Sequence, residues 1–124
     1  DYFNLISKYK NYFYIYYPPN KIKSAWYRLY FFIKIDIKNF KNIRFEIIKN
    51  LKKKKLKCFT GSCPEIYLEK SFKKLNNFKQ LRLKNCKILG ETSIALDLNH
   101  TLNISNHKKN LLNLENVIKK LCKS

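Results

Sequence analysis

The chain has 124 residues, enough for one modest hydrophobic core and too few for a large two-domain enzyme. Lys and Arg number 27 against 8 Asp and Glu, a formal charge of +19, yet 45% of residues are hydrophobic, which argues against a disordered tail. Gly61 and Gly90 are the only glycines, so the chain holds no Gly-rich phosphate loop or dinucleotide fingerprint.

The chain begins at Asp1 and contains no Met, which predicts processing or excision from something longer. Residues 2–17 are rich in Tyr and Phe, with Phe3, Ile6, Tyr9 and Phe13 at helical spacing. A helix is expected over the first part, and Pro18-Pro19 ends it. Residues 25–35 combine aromatic and β-branched side chains over strand length. Tyr27, Leu29, Phe31, Ile33 and Ile35 line one face, and Trp26, Arg28, Tyr30, Phe32 and Lys34 the other. Both faces are mostly apolar, which predicts a central or covered strand. Residues 42–54 read as an amphipathic helix carrying Ile43, Ile47, Ile48 and Leu51. Lys52 to Lys55 close it, where cations face the negative end of the helix dipole and stabilise it by about 0.3–1 kcal/mol.

Residues 58–64 (CFTGSCP) form a turn-rich connection punctuated by Gly61 and Pro64. Two short helices are expected over 65–75 and 79–89, separated by Asn76-Asn77, with Gly90 at the helix C-cap. Residues 92–98 make a second strand, and Asp97 is expected at an edge or strand end. From 105 to 121, Leu111, Leu114, Val117 or Ile118, and Leu121 repeat every three to four residues, a closing amphipathic helix with Ser105 as its N-cap. Helices alternating with a few separated strands predict a small α/β layer, with helices packed on one sheet.

The search for self-contained chemistry yields little. Cys58, Cys63, Cys86 and Cys122 lack the C-x2-C knuckle of structural zinc sites, and His100 and His107 are not spaced for a Cys2His2 site. Free thiols in a reducing compartment are expected, with no metal site. No nucleophile has a supporting His or Asp context, so no catalytic residue is assigned. Glu65 and Glu69, four apart, would share a helix face and read as surface ion pairs with Lys70, Lys73 and Lys74. The longest apolar run, Leu29 to Ile33, is far short of the roughly 18 residues that span a membrane. No signal peptide is visible, and a cytoplasmic location is expected.

Two readings remain for the charge. Only Arg28, Arg44 and Arg82 are arginines and the other 24 cations are Lys, whereas dedicated nucleic-acid readers lean on Arg. Lys, Asn, Ile, Tyr and Phe are all enriched by A/T-rich codons, so base composition is the preferred source. A surface for polyanions is the competing one.

Three segments in order then narrow the reading. They are Trp26 to Tyr30 (WYRLY), Gly61 to Phe72 (GSCPEIYLEKSF), and Leu89 to Ser93 (LGETS) leading into Leu98-Asn99-His100-Thr101-Leu102. Over about residues 20–121 the chain resembles the C-terminal region of the DegT/DnrJ/EryC1/StrS aminotransferases. Those are pyridoxal-phosphate enzymes that aminate keto groups on sugars, commonly nucleotide-linked ones. The resemblance implies the small C-terminal α/β domain of a fold-type I aminotransferase over 21–124, with 1–20 as the end of an interdomain helix and linker. It implies a separate N-terminal domain holding pyridoxal phosphate and the Schiff-base lysine, so no cofactor-binding residue is expected in this chain. It further implies a nucleotide-sugar substrate, an amino-acid amino donor, a homodimer, and a role such as cell-surface polysaccharide biosynthesis. The chain alone would be inactive. Where relatives tend to read L-x-H-P-T-L, Asn99 and His100 occupy the histidine and proline places, so no role of that histidine is carried over to this chain.

Under this resemblance the substrate-binding candidates are Thr60, Ser62, Glu65 and Tyr67, with Tyr27. The turn at 60–67 would gather backbone N–H groups, the Ser62 hydroxyl and the Tyr67 phenol against a polar sugar or phosphate. The competing reading has Gly61 and Pro64 only shaping a connection, with Tyr67 packed on the core. The competing function is an independent basic module binding nucleic acid or another polyanion, although the chain resembles no named nucleic-acid motif.

Overall fold

The computed structural model describes residues 1–73, 82–98, 101 and 103–122. Helices α1 (Tyr2–Ser7), α2 (Phe40–Lys53), α3 (Lys70–Lys73), α4 (Lys84–Thr92) and α5 (Ile104–Cys122) accompany strands β1 (Phe13–Ile15), β2 (Arg28–Ile33), β3 (Cys58–Phe59) and β4 (Ser93–Asp97), with a 3-10 turn at Ile66–Leu68. The four strands form one sheet in the order β1-β2-β4-β3, each neighbouring pair antiparallel. Strands β2 and β3 therefore run the same way with β4 between them. A parallel pair needs a crossover, and α2 supplies it. The result is the α/β layer expected from the alternation of elements.

Period-two alternation sets the core. Leu29, Phe31 and Ile33 of β2 are buried, and the register places Leu29 across from Leu96, Phe31 across from Ile94, and Ile33 across from Phe13. Onto this face α2 lays Ile47, Ile48 and Leu51, and α5 lays Leu114, Val117, Ile118 and Cys122. Leu5 and Ile6 of α1 join the same cluster. Each such side chain, fully buried, contributes on the order of 1.5–3 kcal/mol by leaving water. Strand β2 is central, as its two apolar faces suggested, and Asp97 lies at the end of β4 as expected.

Helix α2 ends in a paired cap. The Lys55 N–H donates to the Lys52 carbonyl at 2.9 Å and the Leu56 N–H to the Leu51 carbonyl at 3.0 Å. This is the Schellman pattern, with Leu51 and Leu56 both buried beneath it. Lys55, at φ 60°, occupies the left-handed position that glycine usually takes.

Several expectations need correction. Only Tyr2–Ser7 is helical in the N-terminal stretch, and Phe13–Ile15 pairs with β2 as an edge strand, so tertiary pairing overrides the helical spacing of Tyr9 and Phe13. Leu5 and Ile6 of α1 and Phe13 and Ile15 of β1 belong to the common core. The connection 58–64 opens with two strand residues. The expected helix at 65–75 is a 3-10 turn followed by α3, so Glu65 and Glu69 flank the turn and do not share a helix face. The helix expected over 79–89 is α4, Lys84–Thr92, and Asn76-Asn77 lies outside the described residues. Gly90 is inside α4 and caps nothing; its missing side chain admits Pro64, because a Cβ there would sit 2.2 Å from Pro64 Cγ. The cap of α5 is Asn103, whose Oδ1 accepts the Asn106 N–H at 2.8 Å, while Ser105 lies within the helix.

Candidate functional site

The loop after β3 is built on the sheet face opposite the core. Gly61, at φ +95°, lies so close over the sheet that a Cβ would meet Ser93 Oγ at 3.0 Å and the Tyr30 ring at 3.1 Å. Ser93, buried at the start of β4, donates its hydroxyl to the Thr60 carbonyl. Next along the loop, the Ser62 Oγ and the Tyr30 hydroxyl are 3.3 Å apart. The three segments that carry the family resemblance thus meet at one place. Tyr30 of the first touches Gly61 and Ser62 of the second, and Ser93 and Gly90 of the third touch Thr60, Gly61 and Pro64.

Arg44 of α2 ties this junction to the helix layer. Its Nε donates to the Ser93 carbonyl at 3.0 Å, Nη1 to the Glu91 carbonyl at 2.9 Å and Nη2 to the Thr60 carbonyl at 3.4 Å. Burial pulls its guanidinium below the usual range, partly offset by the Glu91 carboxylate. A groove of about 780 Å³ runs beside it along α2, lined among others by Phe45, Ile48, Lys52 and Thr60.

Glu65 and Tyr67 form a second cluster. Arg82 donates to both Glu65 oxygens, Nε to Oε1 at 2.9 Å and Nη2 to Oε2 at 3.0 Å, a bidentate fork. The Tyr67 hydroxyl donates to Glu65 Oε1 at 2.9 Å and accepts the Leu83 N–H at 3.0 Å. The hydrogen bonds from Arg82 hold the Glu65 carboxyl below the usual range, and removal from water pushes the Tyr67 phenol up. This cluster clasps the chain before α3 to the chain before α4. Arg82, which was not among the partners expected for Glu65, makes this fork, and Lys74 lies outside the described residues.

The candidate residues thus fall into separate groups. Glu65 and Tyr67 come together, Ser62 faces Tyr30, and Thr60 offers its carbonyl to Ser93 and Arg44. Tyr27 stands at the start of β2, 68% exposed, with Arg28 beside its ring. Asn99, His100 and Leu102, the divergent corner, lie outside the described residues. Tyr30, like Trp26 and Tyr27, reads from the sequence as either a site or a core residue, whereas Arg44, Arg82 and Ser93 were not singled out as site residues. The available signal was the scarcity of Arg: three among 24 lysines, each in a defined setting.

None of the four cysteines is in a disulfide, and no group of three or more His, Cys, Asp or Glu side chains that could hold a metal occurs among the described residues. No helix among them is long and apolar enough to cross a membrane. A pyridoxal-phosphate site needs a lysine shielded from water beside a carboxylate. No lysine among the described residues is buried, so these residues do not fit the cofactor.

A four-stranded antiparallel sheet with helices packed on it, joined by an α2 crossover, is the architecture of part of an aminotransferase. The solved X-ray structure of the aminotransferase from Psychrobacter cryohalolentis is similar to this chain with a TM-score of 0.83 and 25% sequence identity. The similarity covers 96% of this chain and 32% of that one, so the chain spans about a third of that aminotransferase's length. No family model matches the chain, and no curated protein matches it.

Proposed function

We propose that this chain is the small C-terminal domain of a pyridoxal-phosphate-dependent aminotransferase that acts on keto sugars, commonly nucleotide-linked, within the DegT/DnrJ/EryC1/StrS group. The observation that carries the reading is the convergence of WYRLY, GSCPEIYLEKSF and LGETS on one sheet face, within a fold like part of an aminotransferase over 96% of the chain. Motifs distant in sequence that pack against one another behave as one unit. A glycine and a serine under tight contact at their meeting point fit a surface built to a fixed shape.

In this reading the cofactor and its lysine belong to another domain, and this chain supplies one wall of the substrate cleft. Ser62, beside Tyr30, offers hydroxyl chemistry to a sugar, while Glu65, Tyr67 and Arg82 hold the loop in shape. Amino-acid donor, homodimeric assembly and a cytoplasmic place in surface-polysaccharide synthesis belong to the same proposal.

The test is the protein expressed from the longest reading frame that contains this sequence. It should carry a lysine-bearing domain and a cofactor absorbance that shifts when glutamate is added and returns with a nucleotide-linked keto sugar. Ser62→Ala should raise KM for the sugar with little change in kcat. A frame without such a domain, or a spectrum indifferent to every amino donor, would sink the proposal.

A further inference from the structure

The three arginines differ in one respect. Arg44 and Arg82 give their guanidinium hydrogens to carbonyl or carboxylate oxygens of the protein. Arg28 does not. Its Nε is buried with no acceptor, the one such side-chain atom among the described residues. The ion pairs of the described residues do not include it either, although Asp97 is its register partner across β2 and β4.

Packing explains why the side chain stays. Its guanidinium carbon lies 5.6 Å from the centre of the Tyr27 ring and 5.3 Å from that of Phe59. Phe59 is on β3, with β4 between it and β2, so the arginine side chain reaches over β4 on the sheet face opposite the core. Free to swing, an arginine with an orphaned N–H would turn to water, because an unmet buried donor is costly. Two aromatic rings contact it instead, at cation–π distances, a contact that guanidinium makes more often than ammonium.

We propose that Arg28 is an oxyanion-binding residue, with its terminal nitrogens presented to a carboxylate or phosphate group by the Tyr27 and Phe59 rings. A guanidinium fork held beside two aromatic rings, with no acceptor from the described residues, matches the paired oxygens of such a group. Tyr30 and Ser62 lie on the same sheet face two residues along β2, so an anion on Arg28 would extend toward their hydroxyls. Asp97 is the charge that opposes it. The inference rests on the geometry of Arg28 and stands apart from the aminotransferase reading.

The experiment follows the side-chain Nε–H resonances of the 15N-labelled chain during titration with inorganic phosphate, with glutarate, and with sodium chloride at matched ionic strength. The Arg28 resonance, identified by its loss in Arg28→Lys, should move saturably with phosphate or glutarate while those of Arg44 and Arg82 stay in place. The anion that saturates at lower concentration identifies the group as phosphate or carboxylate. Arg28→Lys keeps the charge and loses the fork, and should weaken binding at least tenfold, read at the Tyr27 and Phe59 rings. Asp97→Asn should tighten it two- to fivefold. Equal movement in chloride, no saturable movement in wild type, or an unchanged curve in Arg28→Lys would each overturn the proposal. Should Arg28→Lys fail to fold, Arg28→Gln and the wild-type titration decide in the same way.

Discussion

Gly90 shows how one missing side chain can join two distant segments. A methyl group there would lie 2.2 Å from Pro64 Cγ and 2.7 Å from Pro64 Cβ, and a pyrrolidine ring cannot rotate away. Gly90→Ala should therefore destabilise the chain by about 1–3 kcal/mol, the usual cost of overpacking, measured by urea unfolding. Combining it with Pro64→Gly, which removes both clashing carbons, should cost less than the sum of the two single changes, a coupling that an effect on helix propensity alone would not produce. The cysteines differ in the same local way. Burial pushes the Cys122 thiol up to about 11, and burial also raises Cys58. Cys63 is exposed, and its thiol is raised chiefly by donating to the Glu69 carboxylate at 3.3 Å. Alkylation near pH 8 should reach Cys63 well before Cys122, because the thiolate is the reacting form. Glu69→Gln should move the Cys63 pH profile to lower pH; mass mapping of the labelled sites checks both.

Among the elements, α2 closes with a lysine where the backbone geometry suits glycine. Lys55 at φ 60° carries a steric cost that a glycine would not, offset partly by the extra freedom glycine loses on folding. Lys55→Gly should raise stability by roughly 0.5–1 kcal/mol in thermal or urea melts, provided the cap stays intact. The clasp between the 3-10 turn and α4 responds to pH. Since the Glu65 carboxyl titrates lower in the folded chain than in the unfolded one, the unfolded state binds more protons between the two values. The stability it lends is fully present above the ordinary carboxylate range and declines as pH falls through the folded value. Glu65→Gln should therefore flatten the acid-side stability profile, and the hydrogen-exchange protection of the Leu83 N–H should fall with it. That N–H is bonded to Tyr67, which Glu65 positions.

For the molecule as a whole, one core unites elements from both ends of the chain. Phe31 sits at its middle on β2, fully buried, edge-on to Phe13 of β1 at 5.4 Å between ring centres and across from Ile94 of β4. Phe31→Ala should lower global stability by about 3–5 kcal/mol, with β1, β4 and α5 losing protection together. The +19 charge plays little part in this architecture. The described lysines lie outside the buried core. Arg44 ties α2 to β4 and to the loop after β3, Arg82 ties the 3-10 turn to the start of α4, and among the described lysines Lys41 of α2 pairs with Glu91 of α4.

How much of this was legible depends on the range of the interaction. Periodicity placed β2, α2, β4 and α5 within a few residues, because alternating or three-to-four spacing of Leu, Ile and Phe is a local record of which face is buried. It misread Phe13, whose strand exists only through pairing with β2. It misread Gly90 too, since a glycine near a helix end looks like a cap until Pro64 is seen against it. Thr60, Ser62, Glu65 and Tyr67 were found as a cluster in sequence, but the partners that divide them, Tyr30, Arg44, Arg82 and Ser93, lie 16 to 33 residues away. The sequence by itself therefore determined the α/β class, the main core faces and the family resemblance. Only the tertiary structure decided strand order, the meeting of the three motifs and the isolation of the Arg28 guanidinium. Those rest on contacts between residues far apart in the chain, which local pattern does not encode.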